Sequence, residues 1–395
     1  MAAYYLLRPV RDAMASDWTD AEVSWLWTLN FFVSTAIVAV WGLAVSRVSF
    51  SRLVPGIYAF FAASFVVFYF AVQSIEDRNL VDKGFYLWVS VFALFHTSVF
   101  WSFMSDTFNK EQAKRLFAFI AAGASLGAIV GPLLSGIVAG SVSVDAMMLI
   151  AAIMLMLPIP LILTLSKLKI TDLGNADVSV EASSLKIGGN PLGGFKDFFS
   201  NPYLLGIGVF IILYTGIASF VYFEQKNLLE PFTREERTSI YGYRDALVNT
   251  ITYILAFFVT GRLVPKLGMP TALALVPVIL IFGMLILAFS PILMVAIAMH
   301  VSLRAGNYGL TRPSREMLFT LVSREDRFKA KPVIDIVAYR GGDVIMGWFF
   351  TLLSTGIGLG LAAIAAVGAV MAAIWAIVGV LLGKAFVRKE AEDSA

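Results

Sequence analysis

The feature that most constrains this chain is a series of apolar blocks, each about 20 residues long, separated by short charged segments. An α-helix of about 20 apolar residues, rising about 1.5 Å per residue, crosses the hydrocarbon core of a bilayer. Soluble domains carry about 25% charged residues, whereas this 395-residue chain carries 14%, with 59% hydrophobic residues. The pattern predicts an all-α integral membrane protein and excludes a soluble enzyme.

Eleven of the blocks are long enough to be complete membrane spans. They lie at 23–46, 53–72, 85–105, 116–139, 144–165, 203–223, 241–260, 270–289, 291–311, 333–355 and 359–383. A twelfth helix is predicted at the start, where residues 1–15 give about 22 Å of helix, too short to cross a bilayer alone. We interpret this segment as the later part of an incomplete first helix. An interfacial helix is the alternative.

The polar segment 166–202 divides the predicted helices into six and six. The expected domains are an N-terminal six-helix bundle at 1–165, a cytoplasmic linker at 166–202, a C-terminal six-helix bundle at 203–384 and a cytoplasmic tail at 385–395. Corresponding loops are alike: Gly42 and Arg47 follow the second helix, and Gly261 and Lys266 follow the eighth. This 6+6 plan resembles the major facilitator superfamily, including its glycine-and-charge loop motif that latches the inner gate. Ser46 and Pro265 replace the acidic residue of that motif.

The basic residues predict the orientation. Most of the 30 Lys and Arg residues fall in the linker, the even-numbered connections and the C-terminal tail, and loops rich in Lys and Arg stay in the cytoplasm. We therefore expect a multi-pass protein of the cell (inner) membrane with both termini cytoplasmic. The charged segment 230–237 is expected to be a solvated outer loop.

Three stretches carry a narrower resemblance. They are FWSF at 100–103 followed by EQAKRLF at 111–117, YYLLRPVRD at 4–12, and KPVID at 331–335 followed by RGGD at 340–343. The chain resembles the ATP/ADP translocase (nucleotide transporter) family over nearly its whole length. Where those carriers have a Lys in the first and eleventh helices, this chain has Arg11 and Arg340 nearby. The resemblance implies an anionic substrate without implying ATP/ADP exchange itself.

Two groups of charges are predicted at membrane depth, where an ionisable side chain needs a partner or a water-filled cavity. Arg8, Arg11 and Asp12 share a helix face at i, i+3 and i+4. Arg340 and Asp343 are three residues apart, beside a Gly pair that permits close helix approach. Guanidinium groups suit carboxylate and phosphate. We predict that the three Arg residues hold an anionic substrate and that the two Asp residues orient them. Structural ion pairing is the alternative.

Other residues are weaker candidates. Further substrate contacts are predicted at Tyr5, Trp101, Glu224 and Lys226, although aromatic residues on helices are more often packing groups. His96 is a candidate proton relay, with hydrogen-bonded packing as the alternative. Gate residues are predicted at Arg47, Asp106, Lys114, Arg115, Lys266, Arg312 and Arg315.

The sequence also bears on the class of function. It has no phosphate-binding loop, no nucleophile motif, no Cys and only two His, so an enzyme, a metal site and a cofactor are not expected. The net charge of +3 does not suggest nucleic-acid binding. We expect a monomeric secondary transporter that moves a small anionic metabolite, nucleotide-like or otherwise phosphorylated or carboxylated, by alternating access. The alternatives are an exporter of an amphipathic siderophore, drug or lipid, and a non-transporting assembly or scaffold protein.

Overall fold

The computed structural model describes residues 1–45, 50–171, 200–322 and 334–394, and every regular element in these ranges is helical. Six helices precede residue 172: α1 (Ala2–Ala15), α2 (Asp20–Val45), α3 (Phe50–Ser74), α4 (Arg78–Thr107), α5 (Lys110–Val138) and α6 (Ala146–Met156 with Pro158–Thr171). Six follow residue 200. They are α7 (Pro202–Leu228), α8 (Arg234–Ile254 with the π-helical turn Leu255–Val259), α9 (Thr260–Phe289), α10 (Leu293–Gly306, the π-helical turn Asn307–Thr311 and Arg312–Leu318), α11 (the π-helical Ile334–Gly341, Gly342–Thr351 and the π-helical Leu352–Gly356) and α12 (Leu361–Ser394).

The predicted all-α, twelve-helix fold is confirmed. Seven of the described helices are long and apolar enough to cross a membrane, and the longest such span is Leu361–Glu392. Backbone continuity within α9 is broken at Gly268, where φ is +73°. Such a φ is strained for side chains with a Cβ and ordinary for Gly, so Gly268 marks a kink near the start of the apolar span Lys266–Phe289.

Some helix boundaries differ from the sequence prediction. The helix α8 begins at Arg234, inside the segment expected to be a solvated loop. The helix α6 continues through Thr171 into the predicted linker, and α12 continues through the predicted tail to Ser394. Residues 172–199 of the linker lie outside the described residues. Charged side chains ended the apolar blocks too early, because polar residues at the ends of a spanning helix sit outside the hydrocarbon core.

The first helix, α1, is a core element. Leu6, Leu7 and Val10 are fully buried or nearly so, and α1 packs against α4, α5 and α6. An interfacial helix keeps its apolar face in lipid, so the interfacial alternative is wrong. The close contact between α1 and α5 requires glycine at position 131, because a Cβ there would lie 2.5 Å from the Ala2 carbonyl oxygen.

Residue contacts divide the chain into two compact units. Unit 1 comprises Met1–Asp17, Leu29–Gly188 and Phe232–Ala246; unit 2 comprises Trp18–Thr28, Gly189–Pro231 and Leu247–Ala395. The start of α8 therefore belongs to unit 1, and the start of α2 belongs to unit 2. The domain boundaries at 1–165 and 203–384 stay a prediction.

Close helix packing in unit 2 also places polar groups. The helix α7 packs against α10, α11 and α12, and α9 packs against α12. A Cβ at Gly342 would lie 2.3 Å from the Thr215 hydroxyl oxygen. The second glycine of the pair thus lets α11 approach α7, as its sequence context predicts, whereas nothing lies within 4 Å of a Cβ at Gly341.

Candidate functional site

The face of α1 that carries Arg8, Arg11 and Asp12 points into unit 1. The Arg11 guanidinium binds the Asp12 carboxylate through Nη2 at 2.6 Å and Nε at 3.0 Å. Its Nη1 donates to the Ser90 hydroxyl at 3.3 Å, and its Cζ lies 5.3 Å from the Tyr86 ring centroid. The i, i+3, i+4 spacing thus brings the predicted side chains together on one face.

Two residues of α8 complete this group. The Arg244 guanidinium binds Asp245 through Nη2 at 2.7 Å and Nε at 2.9 Å, and its Nη2 lies 3.3 Å from the second Asp12 oxygen. Arg8 Nε lies 3.3 Å from Asp245 and 3.8 Å from Asp12. We call these five residues (Arg8, Arg11, Asp12, Arg244 and Asp245) the arginine cluster.

The arginine cluster holds three guanidinium groups and only two carboxylates. Arg8 is 8% exposed, and Asp12, Arg244 and Asp245 are each 1% exposed. Arg11 is the most accessible, with 14% of its side chain exposed. Charges taken out of water are stable only when they are paired and hydrogen-bonded. The excess of one positive charge therefore makes this cluster suited to an anion.

Sequence reasoning missed Arg244 and Asp245. The signal was present, because an adjacent Arg–Asp pair lies inside the predicted span 241–260. The partnership itself was not predictable, since Asp12 and Arg244 are 232 residues apart in the chain.

Unit 1 contains a second ion-pair group, and it corrects the expectation that 230–237 is a solvated loop. Arg234 binds both Asp17 and Asp82, the latter at 2.8 Å, and Arg237 binds Asp17. Arg237 is buried and lies within α8. Arg78 also lies 3.7 Å from Asp82 and 2.7 Å from Asp145. Three guanidinium groups thus face three carboxylates, and this group, unlike the arginine cluster, has no excess charge.

Other predicted residues of unit 1 lie apart from the arginine cluster. Tyr5 packs on α5: a Cβ added at Gly131 would lie 3.0 Å from the Cβ of Tyr5. Trp101 follows Ser90 on α4 by about 16 Å of helix and packs edge-on against Phe117, with ring centroids 5.5 Å apart. These contacts are packing contacts, and substrate binding by the two residues stays a prediction.

His96 is buried beside α1. Its Nδ1 lies 3.3 Å from the Phe92 carbonyl oxygen, and its Nε2 lies 3.1 Å from the Thr97 hydroxyl oxygen. Its ring stacks on Tyr4 at a centroid distance of 4.3 Å. This environment favours the packing alternative over the proton relay, which stays a prediction.

Glu224 and Lys226 lie in unit 2 and have different surroundings. Lys226 Nζ binds Asp20 at 2.9 Å and Asn227 at 2.8 Å, and the Ser354 hydroxyl donates to the other Asp20 oxygen at 2.8 Å. Glu224 is fully buried, and its carboxylate oxygens have no hydrogen-bond partner among the described residues. Lys226 thus pairs with a protein carboxylate, and substrate binding by Glu224 and Lys226 stays a prediction.

Arg340 and Asp343 lie in unit 2, on α11. Both are partly buried. Asp343 is within electrostatic range of Arg340, of Arg304 on α10 and of the Tyr214 phenol on α7. The predicted pair thus shares its surroundings with residues that sequence reasoning did not connect to it.

The predicted gate residues of unit 1 are at the ends of α4 and α5. Asp106 binds Lys169 of α6 at 2.8 Å, while Lys114 and Arg115 are exposed on the first turns of α5. Arg47 lies outside the described residues.

The predicted gate residues of unit 2 differ in burial. Lys266 and Arg312 are exposed. Arg315 is buried, donates to the Tyr339 hydroxyl and lies 3.2 Å from Glu316. A gating role for any of these residues stays a prediction.

Comparison with known proteins identifies the family. Residues 1–327 match the family model of the Major Facilitator Superfamily. No curated protein sequence matches the chain.

Similar solved structures cover nearly the whole chain. A bacterial homolog of the human lysosomal transporter Spinster, inward-facing and occupied, has a TM-score of 0.61 at 13% identity and covers 98% of this chain and 96% of its own. The nucleoside transporter NupG has a TM-score of 0.62 at 12% identity, with 96% and 98% covered. The xylose transporter XylE from E. coli, inward open, has a TM-score of 0.60 at 13% identity, with 95% and 93% covered. None of these three is an ATP/ADP translocase, and at such identities they show the fold alone. The chain belongs to the Major Facilitator Superfamily, and it is a multi-pass membrane protein that transports a small molecule by alternating access rather than an enzyme.

Proposed function

We propose that this transporter carries a small anionic metabolite, nucleotide-like or otherwise phosphorylated or carboxylated, and that the arginine cluster is its anion site. The observation that carries the proposal is the excess guanidinium group in a buried group of five charges. A carboxylate or phosphate supplies the missing negative charge and accepts paired hydrogen bonds from a guanidinium group.

Structural ion pairing alone does not explain why the arginine cluster contains more guanidinium groups than carboxylates. Asp12 and Asp245 neutralise two of the three guanidinium charges, and burying a third positive charge in the same group adds a desolvation cost that a bound anion would offset. Arg11 is the member through which a substrate enters, because its side chain is the most exposed of the five. Asp12 orients it through two hydrogen bonds.

The resemblance to the ATP/ADP translocase family favours nucleotide-like compounds among the anionic substrates. Arg11 occupies the segment of α1 that resembles the ATP/ADP translocases and keeps a positive charge there. We propose kinship with that family, residence in the cell (inner) membrane with both termini cytoplasmic, and action as a monomer. The superfamily's architecture uses no hydrolysis of its own, so an exchanged solute or an ion gradient drives transport.

One observation favours export of an amphipathic compound as a second candidate function. A cavity of about 230 Å³ in unit 2 lies between α8, α9 and α10. Its lining is almost entirely aliphatic and includes Leu255, Leu275, Ile279 and Leu310. An apolar cavity of this kind suits a hydrocarbon group and offers nothing to an anion.

A ligand screen on the purified protein tests the two candidates. Thermal denaturation is followed with nucleotides, sugar phosphates, organic acids and amphipathic compounds. We expect an anion to raise the denaturation midpoint, and Arg11→Gln to abolish the increase. Arg388→Gln is the matched control, because this Arg side chain is 77% exposed in α12. Stabilisation by amphipathic compounds alone, or an equal anion effect on the Arg11 variant, would overturn the proposal.

A further inference from the structure

A group of tyrosines lies in unit 2 where α7, α10 and α11 meet. The Tyr214 hydroxyl accepts a hydrogen bond of 3.1 Å from the Asn307 side-chain amide. The Tyr214 and Tyr339 rings meet edge to face with centroids 5.9 Å apart. Tyr308 is within electrostatic range of both phenols. We call Tyr214, Tyr308 and Tyr339, with Asn307, the tyrosine cluster.

Arginine side chains border the tyrosine cluster. Arg304 Nη1 donates to the Tyr308 hydroxyl at 3.4 Å, and Arg315 lies over the Tyr339 ring at 5.2 Å. Arg340 directly follows Tyr339 in the chain. Asp343 is an acidic residue near Arg304 and Arg340. The surroundings of the rings therefore carry more positive than negative groups.

The cluster is anchored on one side and open on the other. Tyr214 packs against Trp375 of α12 at a centroid distance of 5.8 Å, and Trp375 packs against Phe210, both in the buried core. Tyr308, in contrast, is 41% exposed. Ionisable groups at membrane depth face protein or a water-filled cavity, so we expect the open side, which carries Arg304, to face water.

The local backbone is also unusual at this place. Asn307 and Tyr308 lie in the π-helical turn of α10, and Tyr339 and Arg340 lie in the π-helical segment of α11. Single π-helical turns inside α-helices occur frequently at functional sites. One π-helical turn of α10 and one π-helical segment of α11 thus contribute residues to the same cluster.

We propose that the tyrosine cluster binds a planar ring, with Arg304 and Arg340 beside it for a negative group on the same ligand. The substrate is then an anion that carries a planar ring, and not an aliphatic acid or a ringless sugar phosphate. This inference rests on the proposed function, since it narrows the anionic substrate class. It adds Tyr214, Arg304, Asn307, Tyr308 and Tyr339 to the residues expected to contact substrate.

The test compares ringed and ringless anions on the full-length protein in detergent. The probes are adenosine monophosphate and benzene-1,3-dicarboxylate, matched with ribose 5-phosphate and glutarate, and affinities are measured by calorimetric titration. We expect at least one ringed anion to bind about fivefold or more tightly than its ringless partner, because stacking on aromatic side chains contributes at least that much. Equal affinity for both kinds overturns the ring site and leaves the anion site standing. No binding by any of the four overturns both.

A pair of variants locates the effect. Tyr308→Leu is expected to lower the affinity for the ringed anion about fivefold or more while leaving that for the ringless anion unchanged. Because Tyr308 is 41% exposed, we expect the variant to fold, and an unchanged affinity for the ringless anion reports a folded site. Tyr253→Leu, a partly buried tyrosine of α8 in the same unit that packs on Phe257, is the control and is expected to leave both affinities unchanged. An equal loss for both anions in Tyr308→Leu assigns this residue a structural role and overturns the proposal.

Discussion

Removal of Arg244 from the arginine cluster gives the sharpest test of how its charges are balanced. The Arg244 guanidinium makes the two shortest contacts to Asp245, at 2.7 and 2.9 Å. In Arg244→Leu, Asp245 keeps only the Arg8 contact at 3.3 Å, while remaining as deeply buried as before. Loss of one partner of a buried ion pair costs about 3–5 kcal/mol. We expect the lower end of this range, because Arg8 remains.

A second substitution separates charge balance from lost packing. Asp245→Asn removes the carboxylate that Arg244→Leu leaves short of a partner, and Asp12 keeps its 2.6 Å contact with Arg11. The double variant should therefore be less destabilised than the sum of the single variants, by about 1–3 kcal/mol, as is usual for contacting residues in one network.

Thermal denaturation in detergent, followed by fluorescence of the eight Trp residues, measures these effects. We expect wild type to have the highest midpoint, and the midpoint of the double variant to lie above the value that the two single losses together would give. Arg388→Ala, in an exposed pair of α12, should match wild type, because exposed ion pairs contribute little. A wild-type midpoint for Arg244→Leu, or strictly additive losses in the double variant, would refute the charge-balance reasoning.

Three further predictions concern packing and the ion pair of unit 2. Gly131→Ala should destabilise the protein by about 1–3 kcal/mol through overpacking and so lower its denaturation midpoint, because the new Cβ would lie 2.5 Å from the Ala2 carbonyl oxygen. Gly123→Ala is the control and should be neutral or slightly stabilising, because nothing lies within 4 Å of its Cβ. Equal effects at both sites would contradict the packing account. Asp20→Asn should destabilise the protein because it leaves the buried Lys226 ammonium without its carboxylate. Lys226→Met in the Asp20→Asn background should restore part of the lost midpoint, and a further decrease would show that the pair is not coupled.

Much of the fold was predictable because apolar length is a direct physical requirement of a spanning helix. The beginning of α8 was not, because Arg234 and Arg237 read as loop residues until Asp17 and Asp82 are seen beside them. The spacing of apolar residues predicts each helix separately, whereas these charged side chains are stabilised by partners far away in the chain.

The candidate site was half predictable for the same reason. The spacing of Arg8, Arg11 and Asp12 showed a polar face on α1, since neighbours on a helix are set by its geometry. The contribution of Arg244 and Asp245 depended on how α8 packs in unit 1. The ion pair between Lys226 and Asp20 was not predictable either, because these residues are 206 positions apart in the chain.

Transport into proteoliposomes by wild type and two Arg11 variants tests the central claim most directly. The labelled solute is the anion that stabilises the purified protein most, and initial rates give kcat/KM for each variant. We predict saturable uptake by wild type, at least about a tenfold loss in Arg11→Gln, and an intermediate value for Arg11→Lys, because Lys keeps the charge and loses the paired hydrogen bonds of the guanidinium group. Uptake by Arg11→Gln at the wild-type rate would contradict the assignment of the arginine cluster as the anion site.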